Sequence, residues 1–366
     1  MKTIRRLVYR EVISAVAFVT IGFLALFFFF DFVDELGNVG RGATPYRLTH
    51  ALMYVTLLVP SHLYELLPIA VLIGTIFVMA RFAQSSEFTI LRTSGLGPWR
   101  ALGSLMLLGA AFALLTFATG DYLAPAADRA AQLLKARYQG SISVGQTGAW
   151  LKERQAERTY TVNVSALTAD GALRGVRIFE AGPNGMLSSV TAADGARFGQ
   201  GRWLLDNARQ RLFATGRDGL PAVTVREQAQ LEWRTDLSAE MVSVALLRPD
   251  RMRTLDLFEY IRHLKANGQA SQRYEIEFWR KVFYPLSALV MVVLALPFAY
   301  LHFRSGSITG FVFGGVLIGI SFFLLNNVFG YIGNLRTWWP WLTAAAPGLI
   351  YSMMSLGAFG WLVLRR

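Results

Sequence analysis

The sequence predicts a membrane α-helical protein in which an inserted all-β domain separates six transmembrane helices into two groups of three. The chain is 54% hydrophobic and only 16% charged, and its mean hydropathy of +0.39 is high for a water-soluble protein. Six apolar runs are each long enough, with their flanking residues, to cross a bilayer. Between the third and fourth runs, short β-rich segments alternate with turn residues, as in a sandwich or barrel-like domain.

The first apolar run, Val12 to Phe30, is predicted to be a retained helix. The apolar region of a signal peptide is usually about 7–15 residues long and ends at a small-residue cleavage site, whereas this run ends in four Phe residues and Asp31. The other predicted spans cover residues 66–80, lengthened by the apolar stretch 51–59, and residues 101–119, 282–301, 308–331 and 341–364. Prolines that are expected to kink or end helices are Pro60, Pro68, Pro285 and Pro297.

Domain boundaries follow from these runs. Residues 1–122 form transmembrane helices 1–3, residues 123–250 the β domain with the segment that leads into it, residues 251–280 two connecting helices, and residues 281–366 transmembrane helices 4–6. Strands are predicted at 159–164, 175–179, 203–205, 212–214, 223–225 and 231–233. Turn signals between them include Gly182-Pro183-Asn184-Gly185 and Asp194-Gly195. Thr254 is expected to cap the first connecting helix, which runs to about residue 266 and stops at Gly268, and Ser271 is expected to open the second.

The positive charge of the chain indicates membrane orientation. The formal net charge is +12, yet no Lys/Arg-rich tract, RNA-binding signature or zinc-finger spacing appears, so no nucleic-acid partner is expected. The N-terminus, residues 81–100, residues 302–304 and the C-terminal Arg pair fall on one side of a six-span arrangement. Because basic short loops stay in the cytoplasm, we expect a multi-pass inner-membrane protein with cytoplasmic termini and a periplasmic β domain.

Residue patterns for catalysis are missing from the sequence. No Lys directly follows a Gly, as an ATP-binding P-loop requires, and the chain has no Gly-x-Ser-x-Gly elbow and no Cys. The four His residues are scattered, with no carboxylate at a metal-ligand spacing. We therefore expect no catalytic residue, no metal and no cofactor. A transport motor must then be a separate protein.

The loop between the second and third spans is predicted to contain a short amphipathic helix over residues 85–95. Ser85 or Ser86 can cap it, Glu87 lies in its favourable first turn, Arg92 lies near its end, and Phe88 and Leu91 share one face. Two interpretations are open: a coupling helix that contacts a motor protein, or a surface helix that joins two spans at the membrane interface.

The fifth span combines small residues and aromatic residues. Gly310, Gly314, Gly315 and Gly319 allow close approach of another helix, in this chain or in a partner. Aromatic residues in the first and fifth spans, in particular Phe27, Phe30, Phe311 and Phe322, either face lipid and core or line a cavity for acyl chains.

Three segments resemble the LptF/LptG family of lipopolysaccharide export permeases. They are Phe29-Phe30-Asp31-Phe32-Val33-Asp34-Glu35-Leu36, Glu65-Leu66-Leu67-Pro68, and Ser86-Glu87-Phe88-Thr89-Ile90-Leu91-Arg92-Thr93-Ser94-Gly95. The resemblance covers the whole chain in order, and it implies three spans, a periplasmic β-jellyroll-like domain and three more spans. The acidic end of the first span favours the LptG branch over the sister subunit LptF, which stays an alternative together with a non-transport envelope scaffold.

The resemblance also implies partners and site residues. The expected assembly contains an LptF-like permease, an LptB-like ATPase dimer, an LptC-like membrane-anchored protein and an LptA-like periplasmic bridge, with lipopolysaccharide as substrate. The ATPase would meet Glu87, Phe88, Leu91 and Arg92. Some family members bind the lipid phosphates through Lys residues just after the first span, where this chain has Asp31, Gly37 and Asn38. Basic residues after the third span are the nearest replacements for these, namely Arg129, Lys135 and Arg137.

Overall fold

A computed structural model confirms the predicted fold class. It describes residues 2–40, 46–85, 90, 97–139, 148–155, 157–168, 171–199, 202–215, 221–238, 241–242, 249–300 and 308–361. Six of its helices are long and apolar enough to cross a membrane. The chain forms two compact units: a helical unit of residues 1–34, 55–127 and 272–366, and a mixed unit of residues 35–54 and 128–271.

The helices follow the predicted order. Before the sheet lie α1 (Lys2–Leu36), α2 (Leu48–Gln84), α3 (Pro98–Ala118) and α4 (Ala124–Gln139), and a π-helical turn, Thr119–Leu123, joins α3 to α4. After the sheet lie α5 (Thr254–Ala266), α6 (Gln272–Phe283), α7 (Ser287–Ala295), α8 (Ile308–Leu335) and α9 (Pro340–Phe359). The helix α5 and the positive φ of Gly268 confirm the extent of the first connecting helix, but its N-cap is Arg253, so the predicted cap at Thr254 is wrong.

The prolines act differently in the second and fourth spans. Pro60 and Pro68 lie inside α2, which continues through both. Pro285 and Pro297 instead lie in the 3₁₀ segments Tyr284–Leu286 and Leu296–Tyr300, on either side of α7. Because proline lacks an N–H donor, a tighter turn is a common way to accommodate it at a helix end. A helix end is thus confirmed for the prolines of the fourth span, whereas those of the second span do not end their helix, and a kink there stays a prediction.

Valine, leucine, alanine and methionine side chains of α1, α2, α3 and α7 form the core of the helical unit. The fifth span, α8, packs on α2 at two of its glycines. A Cβ atom at Gly319 would lie 2.7 Å from Ile69 Cγ2, and one at Gly315 would lie 2.9 Å from Ile76 Cδ1. Cβ atoms at Gly310 and Gly314 would meet nothing within 4 Å. The close approach therefore involves a helix of the same chain at Gly315 and Gly319, and leaves Gly310 and Gly314 open.

We expect Gly319→Val to destabilise the helical unit and Gly314→Val to leave it nearly unchanged. The valine methyl groups at position 319 would overlap Ile69, and overpacking of this kind costs about 1–3 kcal/mol. The apparent thermal midpoint of the purified protein in detergent measures the difference. Equal midpoints for the two variants would contradict the packing of α8 on α2.

The mixed unit contains one antiparallel sheet of six strands. These are β1 (Ala149–Gln155), β2 (Arg158–Leu167), β3 (Leu173–Ala181), β4 (Leu187–Gly199), β5 (Arg202–Thr215) and β6 (Pro221–Arg234). Each strand pairs with the next in sequence, so the described strands follow an up-and-down order rather than the Greek-key order of a jelly roll. The strands β5 and β6 each contain two of the segments that were predicted separately.

One predicted turn is wrong and one is confirmed. Gly182 to Gly185 forms the turn between β3 and β4. Asp194-Gly195 instead lies within β4, where Gly195 pairs with both Arg174 of β3 and Asp206 of β5. Pairing on both sides overrides the local turn preference. Opposite Asp194, Asn207 has a φ of +51°, and its side-chain amide donates to the Asp194 carboxylate at 3.1 Å. The Asp194-Gly195 dipeptide therefore marks an irregularity in the pairing of β4 with β5 and not a turn.

The segment after α5 covers the outer edge of β1. The backbone N–H of Lys152 donates to Gln269 Oε1 at 3.1 Å, and that of Arg154 donates to Asn267 Oδ1 at 2.9 Å. On the buried face of the unit, Trp203 Nε1 donates to the carbonyl of Leu237 at 2.7 Å. These contacts satisfy donors that an edge strand and a buried indole otherwise leave unpaired.

Candidate functional site

The predicted coupling residues Glu87, Phe88, Leu91 and Arg92 lie outside the described residues. The structure does show how the chain enters this loop. Arg81, in the last turn of α2, donates to Glu11 of α1 at 2.6 Å, and the Ser85 hydroxyl donates to the Arg81 carbonyl at 3.0 Å. An ion pair between the first two spans therefore fixes the end of α2 from which the loop begins.

The aromatic residues of the first span lie on an open face of α1. Phe30 is exposed, and the ring of Phe27 packs at a tilt against that of His62 of α2, with centroids 5.0 Å apart. The Nε2 atom of His62 lies 2.6 Å from Asp31 Oδ2. The first two spans are thus joined by a polar contact directly beside the aromatic face.

The two predicted aromatic residues of the fifth span differ in their surroundings. Phe322 is buried in the helical core, and its ring packs against Tyr284 and Tyr351 with centroids 6.4 and 5.1 Å away. Phe311 is partly buried and meets Phe298 edge-on at 5.9 Å. Sequence periodicity alone does not separate a core ring from an exposed one on a helix that is apolar all round.

The least buried spans are the first and the fifth. In the most apolar stretch of each helix, 17% of α1 and 17% of α8 is buried inside the protein, whereas 83% of α2 is buried. Large exposed apolar surfaces of this kind need lipid, a partner helix or a bound apolar ligand to cover them. The open surface of α1 and that of α8 are the structural features of the helical unit that best suit contact with acyl chains.

A buried lysine, which sequence reasoning did not identify, joins three spans of the helical unit. Lys281, at the end of α6, donates from Nζ to the carbonyl of Gly120 at 3.0 Å and lies 5.7 Å from the ring centroid of Tyr64. A Cβ atom at Gly120 would lie 2.3 Å from that ring. Gly120 belongs to the π-helical turn, a feature that often marks functional positions. The ammonium group thus binds a backbone carbonyl where side-chain bulk is excluded.

Neighbouring polar residues extend this connection. Arg280 pairs with Glu277 at 2.9 Å and donates to Asn327 Oδ1 of α8 at 3.2 Å. The Tyr284 hydroxyl donates to the Glu65 carbonyl of α2 at 2.6 Å. Polar groups within membrane spans are stabilised by such partners. Together these contacts tie α2, α6 and α8 to one another.

Two of the three basic residues predicted to bind the head group form ion pairs within the mixed unit. Arg129 pairs with Asp256 at 2.9 Å, and Lys135 pairs with Glu35 at 3.0 Å. Arg137 is exposed and has no ion pair within the described part of the chain. A free anion therefore meets one available guanidinium group and two cations that are already paired.

An aromatic cluster surrounds the Lys135 pair. The backbone N–H of Arg47 donates to His50 Nδ1 at 3.0 Å, which assigns the imidazole proton to Nε2. That nitrogen donates to the Tyr138 hydroxyl at 3.0 Å, and the two rings stack 4.2 Å apart. Tyr46 meets Tyr138 edge-on at 5.7 Å. Burial first, and then the charge of Glu35, raises the pKa of the Tyr46 hydroxyl well above its usual value.

Comparisons with known proteins show a family match along nearly the whole chain. The family described as lipopolysaccharide export system permease LptF/LptG matches residues 6–365. The chain is similar to the lipopolysaccharide export system permease protein LptG of Escherichia coli K12, with 29% identity over 92% of this chain and 90% of the relative. It is also similar to the protein of the same name from Haemophilus influenzae, with 24% identity over 100% of this chain and 99% of the relative.

Proposed function

The chain belongs to the LptF/LptG family of lipopolysaccharide export permeases, and on that premise we propose that it is the LptG-type permease subunit of a transporter that extracts lipopolysaccharide from the inner membrane. Both named relatives are LptG proteins, which supports LptG over the sister subunit LptF. A family match along nearly the whole chain also argues against an envelope scaffold. The subunit forms part of the path for the lipid and leaves ATP hydrolysis to another protein.

The open aromatic surfaces on α1 and on α8 are the observation that carries this proposal. Acyl chains pack on apolar surface that water cannot reach, and exposed rings at membrane depth provide it. Phe27, Phe30 and Phe311 contact the chains, while Phe322 supports the surface from the core. Arg137 offers a phosphate the guanidinium fork that it favours, and Lys135 and Arg129 join after exchange of their ion pairs.

Force reaches the permease through the loop that follows α2. An LptB-like ATPase dimer contacts Glu87, Phe88, Leu91 and Arg92, and an LptF-like permease completes the cavity. An LptC-like membrane-anchored protein and an LptA-like periplasmic bridge receive the lipid on its way to the outer membrane. The Arg81–Glu11 ion pair supports this role, since it joins the end of α2, where the loop begins, to the first span.

Purification of the tagged chain from its native membranes in detergent tests the assembly. We expect an ATPase and a second permease of the LptF/LptG family to co-purify with it, because transport subunits form obligate interfaces. A scaffold would bring down neither. Recovery of the chain without any ATPase, in a detergent that keeps other ATP-driven transporters intact, would contradict the proposal.

We also expect both termini in the cytoplasm and the β domain in the periplasm, from the basic short loops. The chain has no Cys, so single Cys probes report position directly. A Cys at Asn184, in the exposed β3–β4 turn, should react with a membrane-impermeant maleimide once the outer membrane is opened. A Cys at exposed Ser85 should react only after the inner membrane is opened too. The reverse pattern would contradict this topology.

A further inference from the structure

The ammonium group of Lys135 is already bound to a carboxylate of the same chain. Its Nζ atom lies 3.0 Å from Glu35 Oε2 and 4.7 Å from the ring centroid of Tyr54. The side chain of Glu35 is only 6% exposed, whereas that of Lys135 is 31% exposed. Lysine has a long flexible stem, so the ammonium group can turn toward solvent while the carboxylate stays in place.

The Tyr46 hydroxyl is a neighbour of Glu35 and donates no hydrogen bond among the described residues. Glu35 Oε1 and the Tyr46 hydroxyl are both buried, and neither has a hydrogen-bond partner within the described residues. They couple electrostatically, but the geometry of a hydrogen bond is not met. The Tyr46 hydroxyl can therefore donate to Glu35 after a small movement. Like any tyrosine, Tyr46 keeps its hydroxyl proton at physiological pH and can therefore donate a hydrogen bond.

We propose that Glu35 is a specificity-determining residue: its carboxylate holds Lys135 until a lipid with a phosphomonoester displaces it, and thereby rejects lipids whose only anionic group is a phosphodiester. This inference rests on the proposed function, which provides the phosphorylated lipid. It assigns a role to a buried acidic residue beside a cationic one, where family resemblance suggested only basic contacts.

Charge density decides the exchange. Breaking the Glu35–Lys135 contact has a cost that is the same for every incoming lipid, because buried carboxylates lose stability without a partner. A phosphomonoester carries about 1.5–2 negative charges at pH 7, so it gains more from the lysine than a phosphodiester with one charge. After the exchange, the Tyr46 hydroxyl can donate to Glu35 and lower the cost. The Glu35–Lys135 ion pair is thus displaced only by the more highly charged phosphomonoester head group.

Glu35→Gln tests this selectivity, because glutamine has nearly the same shape and still accepts a hydrogen bond from Lys135. The complete transporter is placed in nanodiscs of phosphatidylethanolamine and phosphatidylglycerol, with a lipid A-type phosphomonoester lipid added. A photo-crosslinker at Gln132, which lies three residues before Lys135 on the same face of α4 and is not buried, reports the lipids near Lys135. We expect the ratio of phosphomonoester to phosphatidylglycerol adducts to fall by about fivefold or more in Glu35→Gln, mainly through a rise in phosphatidylglycerol adducts.

Two further variants separate this role from general stability. In a Lys135→Gln background, adding Glu35→Gln should leave the ratio unchanged, because the cation under competition is gone. Tyr46→Phe should lower phosphomonoester adducts without raising phosphatidylglycerol adducts, because Glu35 then lacks its replacement donor. A merely structural role for Glu35 predicts that both adducts fall together.

The outcomes distinguish the inference from its premise. If wild type gives phosphomonoester adducts and Glu35→Gln leaves the adduct ratio unchanged, the specificity role of Glu35 is overturned while the proposed function stands. A ratio change that persists without Lys135 overturns it as well. If wild type gives no phosphomonoester adduct at all, the head-group assignment of the proposed function fails, and the inference fails with it.

Discussion

Glu87→Lys is expected to abolish lipopolysaccharide transport while the chain still inserts into the membrane. In the predicted coupling helix, Glu87 lies in the first turn, where a carboxylate is favourable, and beside the apolar residues Phe88 and Leu91. Removing one member of a charge pair at an interface costs about 2–5 kcal/mol, which weakens binding by about 30-fold or more. Reversal of the charge adds repulsion, so we expect a near-complete loss.

The measurement for Glu87→Lys combines two readouts in cells that depend on the variant: the amount of newly made lipopolysaccharide at the cell surface, and the amount of ATPase that co-purifies. Ser85→Lys is the control for the introduced lysine, since it places the same ammonium group two residues earlier, at an exposed position just after α2, without removing a carboxylate. We expect the control to keep most of its transport. Normal ATPase association and normal transport in Glu87→Lys would show that Glu87 is an ordinary surface residue.

The sequence is sufficient to predict the order of spans and the inserted sheet. Both depend on local signals: the length of an apolar run is read directly from the chain, and strands are separated by turn residues. Register depends on pairing with distant strands, which explains the error at Asp194-Gly195. That dipeptide has the composition of a hairpin turn, but β3 and β5 pair with it on both sides.

The polar contacts of the candidate site could not be predicted from the sequence. Lys281 follows Arg280 at the end of an amphipathic helix, where a lysine is ordinarily exposed. Its partner is the carbonyl of Gly120 in a π-helical turn 161 residues away, and no residue pattern specifies that turn. The Glu35–Lys135 pair joins residues 100 positions apart. A sequence shows which charges exist, whereas the fold decides which of them are neutralised.

The aromatic residues show the same limit. Phe27, Phe30, Phe311 and Phe322 all belong to apolar spans, and their composition favours a cavity, a lipid face and a core equally. Burial separates them, because Phe322 packs in the core and Phe30 is exposed. The open surfaces on α1 and on α8 therefore follow from how these helices pack on α2, which the sequence does not specify.

Photo-crosslinking in living cells tests most directly whether the open surface of α1 receives lipopolysaccharide. A crosslinker at Phe30 of α1 is compared with one at Met353 of α9, which is equally apolar and also exposed but lies outside the proposed acyl-chain site. Each variant is irradiated with ATP hydrolysis active or blocked. A surface that faces only bulk lipid gives phospholipid adducts at both positions.

Our account predicts lipopolysaccharide adducts at Phe30 whose yield changes when ATP hydrolysis is blocked, and phospholipid adducts alone at Met353. The expected contrast is large, because a cavity that binds several acyl chains excludes bulk lipid from the same rings. Adducts at Phe30 that contain only phospholipid, with a yield that does not depend on ATP, would contradict the proposal that this chain contacts the transported lipid.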